Sequence, residues 1–309
     1  MRILLLLFCL ISANTTFAQN KKVCFSVDDM PVVNYGIKDS TYQKVLFGNL
    51  VSALIRNDIP AIGFVNAKKL FRNDTLIQYQ YDLLRSWISA GLELGNHTYS
   101  HPDYNKISFE EYAKNILKGE PIIKQVLKEQ GKEIRYFRHP FLHVGETKEK
   151  ADSLSEFLAE HDYTVAPVTV DNDDYLFALA YKRASVKEDS SLMKRIGHDY
   201  IIYMEKKIKY YEMQANRLFD RNINQILLFH ASLLNADYVD SLAAMYRKNN
   251  YTFVSMDEAL QDEVYNTEVT VYKNWGISWL DRWALSGGKK GEFFKDDPAT
   301  PQYIVELTK

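Results

Sequence analysis

The stretch Glu93 to Tyr104, ELGNHTYSHPDY, sets two histidines four residues apart between a glycine and a proline, directly behind a short apolar run. On a helix the rings would share one face, but Gly95 and Pro102 oppose a long helix, so a tight turn is expected. A turn can still aim both imidazoles inward. The pair lacks the glutamate of the helical zinc-protease motif, so metal ligation and ordinary loop polarity are both open for these residues alone. A catalytic metal needs a third ligand plus free positions for water and substrate. Asp28-Asp29 offers that ligand. Neighbours on an extended chain point to opposite sides, so one carboxylate is expected on the metal and the other toward the attacking water. The plain alternative is a strand-end turn beginning at DDMP.

The elements that must position these groups are legible as short β-branched and aromatic runs. KVCFSVDD (22–29), PAIGFVN (60–66), LELGNH (92–97), IRYFRHP (134–140), TVAPVTVD (164–171), ILLFH (226–230) and YTFVS (251–255) read as strands. Between them, helical spacing recurs, as at Val45, Leu46, Asn49, Leu50, Ala53 and Leu54, or at Phe109, Tyr112, Ile116 and Leu117. Strand alternating with helix implies parallel pairing through right-handed crossovers, hence an open doubly wound sheet or an irregular β/α barrel. The segment Lys187 to Arg221 carries apolar residues at Met193, Ile196, Tyr200, Met204, Ile208, Tyr211 and Leu218, and predicts one long amphipathic helix. A short helix at Met256 to Leu260 closes the main unit, and residues up to Lys309 form an extension of uncertain fold. On this frame Asp28-Asp29, His97, Arg138, Asp171 and His230 all fall at C-terminal strand ends, the edge where parallel β/α folds build their sites.

Composition narrows the classes. The first residues, MRILLLLFCLISANTTFAQ, read as an export signal cleaved after Ala18, since Ile3 to Ile11 is too short to span a bilayer. Export predicts a periplasmic or extracellular protein with no transmembrane segment after cleavage. Only Cys24 then remains, so no internal disulfide is available and stability must come from the core. With 46% hydrophobic and 25% charged residues the chain has the make-up of a soluble globular protein. Thirty-eight basic against 40 acidic residues disfavour a nucleic-acid partner. No protein partner is evident.

In order and spacing, FSVDDMP, NHTYSHPD, FRHPF, DNDDY and ILLFH resemble the five motifs of the polysaccharide deacetylases, carbohydrate esterase family 4, the NodB-homology domain. The resemblance runs from about Val23 to about Leu260. It implies an irregular (distorted) β/α barrel of about seven parallel strands; with the export signal at 1–18 set aside, the catalytic domain is expected at 19–262 and a C-terminal extension at 263–309.

The resemblance further implies that Asp28 is the general base, that Asp29, His97 and His101 hold a divalent metal, and that Arg138 pairs with the base. Phe141 corresponds to the residue whose backbone N–H serves the oxyanion. His230 corresponds to the general acid, oriented by Asp174, with Asp171 the competing candidate for that role. Zinc is the default ion for two imidazoles and a carboxylate, with cobalt, nickel or iron also able to occupy the set. Ser26, Val27 and Met30 stand where the family has threonine, phenylalanine and glycine, Phe141 replaces a tyrosine, and Tyr175 replaces a tryptophan. Tyr175 can still pack against an acetyl methyl.

The expected activity is hydrolytic removal of acetyl groups from a glycan, N-acetylglucosamine units first and O-acetyl groups of xylan type as the alternative. A sugar-binding protein without activity is a second class. A glycosidase using Asp28 with Asp171 or Asp174 is a third, and would leave the histidines idle. Trp275, Trp279 and Trp283 recur every four residues; packing back onto the main unit is expected of them before a sugar platform. His139 and His143 flank the third motif and are expected in solvated or hydrogen-bonded structural roles before lining the cleft, while His161 and His198 are expected on the surface.

Overall fold

The computed structural model describes residues 21–309. The export signal and its cleavage site therefore lie outside the described residues. A seven-stranded, all-parallel sheet forms the centre. Its strands are β1 (Lys21–Met30), β2 (Ile62–Val65), β3 (Glu93–Asn96), β4 (Tyr136–Phe137), β5 (Thr164–Val165), β6 (Gln225–His230) and β7 (Tyr251–Phe253). The order across the sheet is β5-β4-β3-β2-β1-β6, with β7 paired to the first residues of β1. Beyond β5 the chain turns back onto the far edge, where Val170 bridges Leu227 in parallel. The sheet is thus curled into a half-barrel wrapped by helices, the distorted barrel rather than the open sheet.

β1 is central because Val23 to Asp28 form an unbroken buried run, as expected of a strand covered on both faces. Phe25 packs edge-on against Phe229, Tyr246 and Phe253, with ring centroids 5.6, 5.2 and 5.1 Å away. The crossovers begin where capping chemistry starts them. Asp39 caps α1 (Ser40–Arg56), which precedes α2 (Gln78–Ser89). Ser108 and Glu111 form a reciprocal capping box on α3 (Phe109–Lys128), and Thr147 caps α4 (Lys148–Glu160).

Two helices, α5 (Asp174–Val186) and α6 (Ser190–Phe219), occupy the longest crossover. Only α6 was legible as an amphipathic repeat; it buries Ile196, Tyr200, Met204, Ile208 and Tyr211, while Met193 and Leu218 at its ends are half-buried. Helix α5 is apolar on several faces, which erases its period. Helices α7 (Leu233–Lys248) and α8 (Met256–Ala259) follow.

The last residues carry α9 (Trp279–Ser286) and α10 (Gln302–Leu307). Leu280, Trp283 and Ile304 join the same buried cluster as Val23 and Phe25. Trp275 precedes α9, so the three tryptophans do not share a helical face. Trp283 packs edge-on to Phe219 and Tyr265, and Trp279 faces His139. Packing, as expected, is what these rings do. Among the described residues no helix is long and apolar enough to cross a membrane.

Candidate active site

The C-terminal strand ends converge on a cavity of about 600 Å³ lined by Asp28, Asp29, His97, His101 and His230, with Phe141 and Tyr175 at its walls. Both aspartates line it, which the extended-chain argument did not foresee. The reason is local: Asp29 adopts a left-handed backbone, φ 61°, and the β1–β2 register slips between Val27 and Met30. That turn returns the second carboxylate to the side of the first.

The histidine turn is built the same way. Thr98 and His101 are both left-handed, at φ 66° and 56°, and the His101 N–H donates to Thr98 Oγ1 at 3.0 Å. Asn96, a residue the sequence reading passed over, ties the turn down: its Oδ1 accepts the Thr98 N–H and its Nδ2 donates to Ile116 and Tyr163. His97 Nδ1 lies 2.8 Å from the Arg138 carbonyl, which can only accept, so Nδ1 carries the proton and Nε2 keeps its lone pair. The two rings stand edge-on, centroids 4.8 Å apart.

One donor atom from each of Asp29, His97 and His101 falls within 4.8 Å of the other two. This donor set fits a divalent cation: two neutral imidazoles and one ionised carboxylate. Burial, with the neighbouring cations, pushes His97 and His101 down to about 4, so both offer lone pairs at neutral pH. Burial opposes ionisation of Asp29, but Lys69 and the histidines outweigh it and hold the carboxyl well below its usual range. Lys69 was not singled out from the sequence. Its Nζ donates to the Asp29 carbonyl at 2.6 Å and lies 3.7 Å from Oδ1, which fixes the left-handed turn.

Asp28 is almost fully buried, and its Oδ2 lies 3.6 Å from Arg138 Nη1 and 3.9 Å from His97 Nε2. Burial raises the Asp28 pKa and Arg138 opposes the rise. Arg138 is itself wholly buried; its Nη2 donates to Ser26 Oγ at 2.8 Å and its guanidinium lies over the Phe64 ring. Ser26 thus has a role at the position where the family has threonine: it passes Arg138 a hydroxyl acceptor while donating to the Leu227 carbonyl.

On the opposite wall Asp174 Oδ1 lies 2.7 Å from His230 Nδ1, and Oδ2 accepts the His230 N–H at 2.8 Å. Asp171 makes no such bond; it accepts from the N–H of Asn172 and lines the cavity, pushed up to about 7 by burial against the pull of Lys207. Asn235, also unread in the sequence, donates to Asp174 Oδ2 and to the His230 carbonyl, both at 2.8 Å. Burial draws His230 down, but Asp174 outweighs it and carries the imidazole up to about 9.

Phe141 sits at φ 56° on a tight turn, its ring half-exposed against His101, centroids 4.4 Å apart. The Leu142 and His143 N–H groups donate to His139 and Pro140, and no carbonyl among the described residues takes that of Phe141. The C-terminal segment backs this turn. A Cβ at Gly276 would come within 2.2 Å of the Phe141 carbonyl, and Arg282 Nη2 donates to the carbonyls of Leu142 and Trp275 at 2.7 and 2.8 Å. Tyr175 is half-exposed at the mouth. His139 is buried with Nδ1 unpartnered, contrary to the expectation of a solvated or hydrogen-bonded residue; His143 bonds Asp103 at 2.6 Å. His161 and His198 are exposed.

A hydrolase-like site of Asp, His and Arg at the C-terminal edge of a curled parallel sheet defines the class. Comparison with known proteins agrees. Residues 17–159 match the family model described as polysaccharide deacetylase, a range holding Asp28, Asp29, His97, His101, Arg138 and Phe141 but not Asp174 or His230. An uncharacterized 30.6 kDa protein of Geobacillus stearothermophilus is 24% identical over 74% of this chain and 71% of its own. A chitin deacetylase of Arthroderma benhamiae is 28% identical over 41% of this chain and 31% of its own. Among solved structures, a CE4 family pseudoenzyme from Bacillus anthracis superposes with TM-score 0.50 at 14% identity, covering 78% of this chain and 66% of that one. A mutant of it with restored enzymatic activity gives 0.51 at 15%, covering 78% and 68%. Over residues 17–159, just under half of its length, the chain is similar to the polysaccharide deacetylase family. The structural likeness speaks for the fold alone, and a fold shared with a pseudoenzyme leaves activity to be argued from the residues.

Proposed function

We propose that this protein hydrolyses acetyl groups from a glycan, N-acetylglucosamine units before O-acetyl sugars. One observation carries the reading: Asp28, the Asp29–His97–His101 donor set and His230, held from behind by Asp174, meet at one cavity. Asp29, His97 and His101 would hold a divalent ion, zinc by default with cobalt, nickel or iron as substitutes, which when bound supplies Lewis-acid polarisation of the acetyl carbonyl and a more acidic water.

The chain's own groups supply the proton traffic. Asp28, steadied by Arg138, accepts the proton of the water whose oxygen joins the acetyl carbon. The Phe141 N–H faces the charge that develops on the carbonyl oxygen, a kind of donor typically worth about 3 kcal/mol. His230 gives its proton to the leaving nitrogen as the C–N bond breaks, and acetate departs. An imidazolium held up to about 9 is protonated at neutral pH, which suits an amine leaving group and favours amide over ester cleavage.

In this reading residues 19–262 are the catalytic unit of an exported protein, after a signal at 1–18, and 263–309 brace the Phe141 turn through Gly276 and Arg282. Matched N-acetyl and O-acetyl oligosaccharides, assayed for acetate release, test the bond. Faster release from the N-acetyl member is expected; preference for the ester would reassign the substrate.

A further inference from the structure

A second cavity, of about 650 Å³, lies beside the first and has no carboxylate on its lining. Lys38, Lys69 and Arg72 line it together with Tyr35 and Tyr79. Two of these residues join it to the site: Lys69 donates to the Asp29 carbonyl, and Tyr35 Oη donates to the Tyr175 carbonyl at 2.9 Å. Arg72 is carried there by a small hairpin, Phe71–Arg72 against Thr75–Leu76, whose turn residues Asn73 and Asp74 are left-handed at φ 47° and 57°. The side chains of Lys38 and Arg72 are exposed. Asp39, the acid next to Lys38, is occupied in capping α1 through the Tyr42 N–H.

Lys69 is paired with Asp29, so Lys38 and Arg72 are the cations that this lining, which has no carboxylate of its own, presents to a ligand in a chain of net charge −2. A guanidinium fork matches carboxylate, sulfate or phosphate oxygens, and tyrosine rings offer flat faces to sugars. We propose that this cavity is an anion subsite: the glycan that presents its acetyl group to Asp28 carries a negatively charged group on a neighbouring sugar, received by Lys38 and Arg72. The assignment of the ligand as a glycan rests on the deacetylase reading above.

Calorimetric titration of the full-length mature protein with oligogalacturonate, a sulfated oligosaccharide, a phosphorylated oligosaccharide and neutral chitotetraose tests the subsite without requiring turnover. At least one anionic class is expected to bind about tenfold tighter than the neutral one, and Lys38→Gln with Arg72→Gln should abolish that preference. The same pair should lower the acidic-to-neutral ratio of acetate release. No anionic preference, or a preference that survives the double substitution, overturns the subsite, and neutral glycans still deacetylated would then leave the deacetylase reading standing. An anionic preference lost in the double variant, with no acetate released from any glycan, supports the subsite and removes the deacetylase reading.

Discussion

Asp174 grips His230 at two points, its Oδ1 on the ring Nδ1 at 2.7 Å and its Oδ2 on the backbone N–H at 2.8 Å. The grip fixes the ring's direction and its charge together. In the metal-free protein, NMR titration of His230 should report a pKa of about 9. Asp174→Asn should lower it, because burial is then opposed only by the weaker pull of Asp29 and Asp28. The folded value exceeds the unfolded one, so the pair's contribution to stability is complete below 6.5 and is lost as pH rises through about 9. Acetate release by Asp174→Asn should fall by roughly 10²-fold or more, with its alkaline limb moved to lower pH. An unchanged His230 titration would refute the assignment.

Asp28 is buried with its pKa raised, and Arg138 restrains the rise. A base must be ionised, so activity should fall on the acid side as Asp28 gains its proton. Arg138→Gln removes the restraint and should move this acid limb upward. Asp28→Asn should cost roughly 10²–10⁴-fold in kcat/KM with metal content preserved, since Asp29 rather than Asp28 belongs to the donor set. Loss of metal from Asp28→Asn would exchange the two roles.

Gly276 is where the C-terminal segment meets the Phe141 turn. Gly276→Ala drives a methyl to within 2.2 Å of the Phe141 carbonyl, so the turn must shift. We expect about 1–3 kcal/mol of destabilisation and a loss in kcat of about tenfold. Gly48→Ala is the control: it lies on the exposed face of α1 with nothing within 4 Å, and should stabilise by roughly 0.5–1 kcal/mol without touching the site. Equal effects from the two substitutions would disprove the bracing role.

The sequence carried the strands and motifs well because both are local signals. β1, β3 and β6 announce themselves by apolar runs, and the histidine turn by Gly95 and Pro102. What it hid is non-local. Lys69 reaches Asp29 across 40 positions and Arg282 reaches Leu142 across 140, and neither residue has a neighbour in sequence that marks it. Helix α5 was missed because its apolar residues fall on several faces. The assumption that adjacent aspartates diverge failed at Asp29, where a left-handed turn that sequence spacing cannot display puts both carboxylates in one cavity.

Acetate release from N-acetyl oligosaccharides, measured on chelated protein, on protein reloaded with zinc and on reloaded Asp28→Asn, tests together whether the site works through a bound metal and through Asp28. Release is expected only in the reloaded wild type, with zinc bound at one equivalent in both reloaded samples. Release that survives chelation, or that persists undiminished in Asp28→Asn, would contradict that expectation.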